Sequence, residues 1–224
     1  MMKRTVLCYG DSNTWGSIPR WEDSDLPSER YDENTRWTRV AQRQLGDAYE
    51  LIEEGLGGRT TIYSPANAPW KNGKDYLLPC LMSHRPIDLV VIMLGTNDLH
   101  LSHRLEEEDL GKGIRELIEI IQANKKPGRN VEPPKILVLA PIEVRPSDPK
   151  GRVKVYDNFY REWGAYLSKQ YPRVYKAIAD EYGCYFLNAA DYAQPGPGDG
   201  VHFTPESHVA LGQAVAEKIR GIFE

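Results

Sequence analysis

Apolar residues in this chain fall into short unbroken runs, separated by stretches where they return every three or four positions. Val6-Leu7-Cys8-Tyr9 is such a run and stops at Gly10-Asp11-Ser12, which reads as a buried strand ending in a turn. Tyr49 to Glu53 predicts a second strand, followed by the glycine-rich turn Gly55-Leu56-Gly57-Gly58-Arg59-Thr60. Ile87 to Leu94 is apolar along nearly its whole length, as a central parallel strand covered on both faces should be. Lys135 to Ala140 and Cys184 to Leu187 supply a fourth and a fifth strand.

Between the runs the period becomes helical. Trp37, Val40, Ala41 and Leu45 share one side of a predicted helix over 36–45, with Gly46 as its stop. A helix is predicted over 76–84. Leu110, Ile114, Leu117, Ile118 and Ile121 mark the core face of another. The stretch 156–182 reads as helical with an interruption or kink at Pro172. Thr204 and Pro205 suit the cap and first residue of a last helix. Three polar, proline-containing segments, to about Asn34, over 61–74 and over 141–151, read as loops, and 125–134 as a connection. Strand and helix alternate, which predicts an α/β fold with a five-stranded parallel sheet and helices on both faces.

The pattern then places the chemistry. Ser12 follows the first strand, Gly57 and Gly58 the second, Asn97 the third, and Asp199 and His202 the fifth. In open parallel sheets ligands bind at the carboxyl ends of the strands, so these groups converge on one rim. A serine hydroxyl attacks an acyl carbon only when a base takes its proton, and the base works best when a carboxylate fixes its tautomer. Ser12, His202 and Asp199 supply those three parts. The developing oxyanion needs donors. Candidates are the backbone N–H of Ser12, a backbone N–H in the Gly57-Gly58 turn, and the side-chain amide of Asn97.

Each piece also has a bland reading. A lone serine in a turn is more often a cap, Asp-x-x-His a solvated pair, and Asn97-Asp98 the start of a helix. The glycine turn lacks the G-x-G-x-x-G spacing and no P-loop lysine follows, so a phosphate cradle is disfavoured. The nucleophile elbow G-x-S-x-G is absent because position 14 is Thr14. His100 and His103 lack a matching carboxylate or cysteine motif for a metal and are placed on a solvated loop near the site. His84 and His208 are placed on helices without a role. Asp11 and Trp15, beside the nucleophile, are read as substrate-binding.

Composition narrows the classes. The 224 residues, 41% hydrophobic and 27% charged, suit a single domain spanning 1–224, with no repeat or linker. A net charge of −4 with interspersed signs argues against nucleic acid as a partner. No apolar run approaches the ~20 residues of a membrane span, and the N-terminal apolar stretch is too short for a signal peptide. Three scattered cysteines, Cys8, Cys80 and Cys184, fit a reducing compartment, hence a cytoplasmic protein.

Four blocks now carry a resemblance: Gly10-Asp11-Ser12, the glycine in Glu54-Gly55-Leu56-Gly57-Gly58-Arg59-Thr60, Gly95-Thr96-Asn97-Asp98, and Asp199-Gly200-Val201-His202. Their order over essentially the whole chain resembles the SGNH (GDSL-type) serine hydrolases. Thr14-Trp15-Gly16, Arg36-Trp37-Thr38 and Ile92-Met93-Leu94-Gly95 make it most similar to the bacterial arylesterase and acyltransferase branch. The resemblance implies a three-layer flavodoxin-like fold, Ser12 as nucleophile, His202 as base and Asp199 as its orienter. It also implies an oxyanion hole of Ser12, Gly58 and Asn97, and no cofactor or metal. Gly58 is preferred to Gly57 because it stands two residues before Thr60, where the family places its oxyanion glycine. Some relatives form oligomers that narrow the entrance, so a homo-oligomer is an expectation of the resemblance. Two departures stand out: Asn13 where that branch carries leucine, and no run of prolines over 141–156.

The expected activity is that of a serine esterase acting on short-chain acyl esters, acetyl above all, through an acyl-enzyme, with acyl transfer to another acceptor implied by the branch. A carbohydrate O-acetylesterase with the same triad is the alternative enzyme, with Trp21, Tyr63 and Trp70 available for sugar stacking. The alternative from another class is a non-catalytic flavodoxin-like module binding a ligand at the same rim.

Overall fold

The computed structural model describes residues 2–20, 29–146 and 161–224. Five strands form one sheet: β1 (Arg4–Gly10), β2 (Tyr49–Gly55), β3 (Leu89–Met93), β4 (Lys135–Ala140) and β5 (Tyr185–Asn188). They run in the order β2-β1-β3-β4-β5 and every pairing is parallel. The chain starts at β1, steps out to β2 and returns across β1 to β3. The sheet therefore reverses its winding at β1/β3, where open α/β sheets leave a crevice.

Alternation along β1 sorts the two cores. Val6 and Cys8 face one layer, with Trp37, Ala41, Leu211 and Val215 from helices α2 (Trp37–Leu45) and α7 (Pro205–Phe223). Leu7 and Tyr9 face the other, against α3 (Gly73–Ser83), α4 (Lys112–Ala123) and α6 (Tyr171–Glu181). β3 is buried throughout, as its unbroken apolar sequence requires. Truncating a core leucine such as Leu7 to alanine costs about 2–5 kcal/mol in settings of this kind. The result is the three-layer α/β arrangement expected. No helix among the described residues is long and apolar enough to cross a membrane.

Several boundaries differ from the sequence reading, each for a local reason. The segment after β1 does not begin as loop: α1 (Ser12–Trp15) is a single helical turn, capped by Asp11 and closed at Gly16. α3 starts three residues earlier than predicted because Asn72 caps it, its side chain accepting from the N–H groups of Lys74 at 3.0 Å and Asp75 at 3.4 Å. Pro172 does not kink one long helix. It sits in the first turn of α6 and separates it from α5 (Arg161–Ser168), where its missing N–H is not needed. The predicted helical residues 156–160, loop residues 147–151, Trp21 and Pro27 lie outside the described residues. Thr204 caps α7 as expected, accepting from Ser207 N–H at 3.2 Å.

Candidate active site

α1 carries Ser12 at the carboxyl edge of β1. Asp11 holds the turn, its Oδ1 accepting from Asn13 N–H at 2.9 Å. Across the crevice, the segment between β5 and α7 brings in Asp199 and His202. Gly200 makes that turn: its φ is +72°, and a Cβ there would lie 1.9 Å from the Arg145 carbonyl oxygen, so a side chain would meet both strain and a clash.

His202 Nε2 lies 2.9 Å from Ser12 Oγ, and its Nδ1 lies 2.7 Å from Asp199 Oδ2. Asp199 is fully buried. Its Oδ1 accepts from the N–H groups of Val201 and His202, both at 3.0 Å, and Oδ2 also from Arg20 N–H at 2.9 Å. Burial pushes this carboxyl up, but His202 and the N–H donors outweigh it and hold the group below its ordinary value. An ionised carboxylate only accepts, so Nδ1 carries the imidazole proton and the Nε2 lone pair is left facing the Ser12 hydroxyl.

Asn13 ties the two halves of this arrangement together. Its Nδ2 donates to Val201 O at 3.1 Å, and its Oδ1 accepts from Phe203 N–H at 3.1 Å. The residues on both sides of His202 are thus anchored to the turn that carries Ser12. The sequence marked Asn13 only as a departure; its amide has a donor and an acceptor where leucine would have neither.

The candidate oxyanion donors come from the turns after β2 and β3. Gly58 has φ +77°, and neither its N–H nor that of Ser12 has a hydrogen-bond partner among the described residues. Asn97 Nδ2 donates to Arg59 O at 3.0 Å, leaving its second hydrogen with only a 3.5 Å approach to Asp11 Oδ2. Arg59, which the sequence reading passed over, is buried. It donates to Gly10 O at 3.0 Å and to Glu54 O, and lies over the Tyr9 ring at 4.2 Å. It fastens the Gly58 turn to the end of β1. Asp98 fastens the same turn to β3, accepting from Thr61 N–H at 2.7 Å and Thr61 Oγ1–H at 2.6 Å. Burial pushes the Asp98 carboxyl up to about 7 and that of Asp11 up to about 6.

These groups open on a cleft of about 810 Å³ whose walls include Ser12, Trp15, Gly57, Gly58, Asn97 and His202. Trp15 is part of the lining. Asp11 is not: its carboxylate is buried behind α1 as a cap, so the substrate-binding reading of Asp11 gives way to a supporting one. His100 and His103 do line the cleft, His103 in a short 3₁₀ turn and His100 as its cap, with His103 packed against the Tyr63 ring at 4.9 Å. Burial lowers both imidazoles, which keeps them neutral near pH 7. Trp70 is 65% exposed and is not part of the lining.

Two histidines read as having no role have structural ones. His208 is buried between α2 and α7, where Nδ1 accepts from Trp37 N–H at 3.3 Å and burial drives its ring down to about 3. His84 Nε2 pairs with Glu54 Oε1 at 2.7 Å. With Cys80 these two make up the one group of three metal-capable side chains found among the described residues, and none of the three lines the cleft.

Comparison with known proteins gives a consistent set of likenesses. Residues 8–210 match the model of the GDSL-like lipase/acylhydrolase family. The structure is similar to that of the native aryl esterase of M. smegmatis, with 36% identity, a TM-score of 0.90, and coverage of 98% of this chain and 100% of that one. It is equally similar to Est24, a carbohydrate acetylesterase from Sinorhizobium meliloti, at 37% identity and TM-score 0.90, covering 99% and 100% of the two chains. A carbohydrate acetylesterase family member from the same organism aligns at 33% identity and TM-score 0.86, over 98% of each chain. No curated protein matches the sequence.

Proposed function

The chain belongs to the GDSL-like lipase/acylhydrolase family and is a carboxylic ester hydrolase, and from this premise we propose that it cleaves short-chain acyl esters, acetyl esters first, with Ser12 as nucleophile. The observation that carries this reading is the continuous contact from Ser12 Oγ to His202 Nε2 at 2.9 Å and from His202 Nδ1 to Asp199 Oδ2 at 2.7 Å.

In this mechanism Ser12 Oγ bonds to the ester carbonyl carbon while its proton passes to His202 Nε2. Asp199 stabilises the imidazolium that results and keeps its ring in place. The carbonyl oxygen becomes an oxyanion, held by the N–H groups of Ser12 and Gly58 and the amide of Asn97. The bond from carbon to the alcohol oxygen then breaks, and the alcohol leaves with the proton from His202. Water attacks the acyl-Ser12 ester with His202 again as base. The carboxylic acid departs, and its proton count balances as Ser12 recovers its own. No cofactor or metal takes part in any step.

An alcohol in place of water would take up the same acyl group, which is the transferase activity proposed as a second outlet of the intermediate. Free thiols at Cys8, Cys80 and Cys184 support a reducing, cytoplasmic setting. The likeness to Est24 favours one second reading, a carbohydrate O-acetylesterase using the same residues.

The test is kcat/KM for 4-nitrophenyl acetate, phenyl acetate and a set of acetylated sugars, with product analysis in high added alcohol. Turnover of aryl acetates above sugar acetates supports the arylesterase reading, and the reverse order supports the sugar reading. An acetylated acceptor alcohol among the products supports transfer; full turnover to acetate alone counts against it.

A further inference from the structure

Lys71 stands in the wall of the same cleft. Its backbone is fixed to the turn that carries Gly58: Thr60 N–H donates to Lys71 O at 3.0 Å, and Lys71 N–H to Ala68 O at 3.0 Å. Its side chain lies over Gly58. A Cβ built on that glycine would meet Lys71 Nζ at 2.8 Å and Cδ at 3.1 Å. The ammonium group has no ion-pair or hydrogen-bond partner among the described residues. Among the described residues the one acidic side chain lining the cleft is Asp199, whose two oxygens are already engaged by His202, Val201 N–H and Arg20 N–H. Burial lowers the imidazoles of His100 and His103, so neither brings a lasting charge to the lining.

An ammonium group beside an oxyanion donor, with no carboxylate among the described residues to meet it, calls for a partner from the ligand. We propose that Lys71 selects substrates that carry a carboxylate near the scissile ester, on either the alcohol or the acyl side. The inference rests on the esterase reading and adds the substrate class to it. A simple neutral aryl acetate reaches Ser12 without engaging Lys71. An anionic ester gains a charge-assisted contact next to Gly58 and is steered into the cleft.

Two matched pairs of esters test it. In the first the charge lies on the alcohol: 4-acetoxybenzoate against its neutral methyl ester. In the second it lies on the acyl chain: the mono-4-nitrophenyl ester of glutaric acid against 4-nitrophenyl pentanoate. The readout is the ratio of kcat/KM, anionic over neutral, in the unaltered chain, Lys71→Gln and Lys71→Glu. In at least one pair the ratio should fall about tenfold in Lys71→Gln and further in Lys71→Glu, and the pair that responds identifies the side that bears the charge. Added salt should shrink the ratio in the unaltered chain and leave it nearly flat in Lys71→Gln. A ratio equal in all three proteins for both pairs overturns the inference. That includes the case in which every ester slows together, which would make Lys71 an aid to the oxyanion. An unaltered chain that turns over none of the four esters, nor 4-nitrophenyl acetate, overturns the esterase reading itself.

Discussion

The two ends of the sheet each hold an aspartate tied to a nitrogen-bearing side chain. At the amino edge, Asp88 accepts from Arg129 Nε at 2.7 Å and Nη2 at 2.8 Å, and from Thr5 N–H at 2.8 Å. At the carboxyl edge, Asp199 accepts from His202 Nδ1 at 2.7 Å and from three backbone N–H groups. Burial pushes both carboxyls up, and in both the hydrogen bonds outweigh it and hold the group below its ordinary value. The difference lies in the partner. A guanidinium has donors only and keeps its proton, so the interaction at Asp88 ends there. An imidazole that donates through one nitrogen accepts through the other, so the interaction at Asp199 continues to Ser12. One arrangement fastens β1 to β3; the other is built to pass a proton.

Substitutions should separate these two edges sharply. Ser12→Ala and His202→Ala should each lower kcat/KM for an aryl acetate by about 10⁴-fold or more, with unfolding midpoints nearly unchanged because both residues sit at the rim. Asp199→Asn should cost about 10³–10⁴-fold, since the amide can donate and would favour the wrong imidazole tautomer. Asn97→Ala should cost roughly 10²–10³-fold if its amide holds the oxyanion. Near-native kcat in that variant would remove Asn97 from the mechanism.

The amino edge should respond in the other observable. Arg129→Ala should leave kcat/KM near the native value and lower stability by about 1–3 kcal/mol, read from denaturant unfolding. The sign with pH follows from the depressed carboxyl of Asp88. Its contribution is present above the unfolded aspartate value of 3.8 and is lost as pH falls through the lower folded value. The gap between Arg129→Ala and the native chain should therefore narrow in acid. A gap that widened there would contradict this account of Asp88.

How far the sequence carried these conclusions depends on the length scale of the cause. The bounds of β4 were read correctly as Lys135–Ala140, and β3 was recognised as central, because unbroken apolar runs follow directly from burial on both faces. The convergence of Ser12, Asn97, Asp199 and His202 was legible from the strand-end rule alone, since each follows a strand of one parallel sheet. What escaped was set by contacts between distant segments or by caps. α1 is four residues long, too short for any period to show. Asp11 looked like a ligand contact and is the cap of that turn. Arg59 and Lys71 acquire their places only when the loops after β2 fold against β1 and over Gly58. Asn13 was visible as an odd residue, yet its bonds to Val201 and Phe203 span nearly the whole chain, and no local pattern encodes them. The alternative of a non-catalytic binding module is set aside by membership of a hydrolase family over residues 8–210.

The most direct test of the central claim, that Asp199 and His202 make Ser12 a nucleophile, is intact mass after brief exposure to a small organophosphonate or sulfonyl fluoride, followed by peptide mapping. The account predicts one adduct, on Ser12, formed by the native chain and lost in His202→Ala. A folded native chain that takes up no label, or that is labelled at another residue while Ser12 stays free, would contradict it.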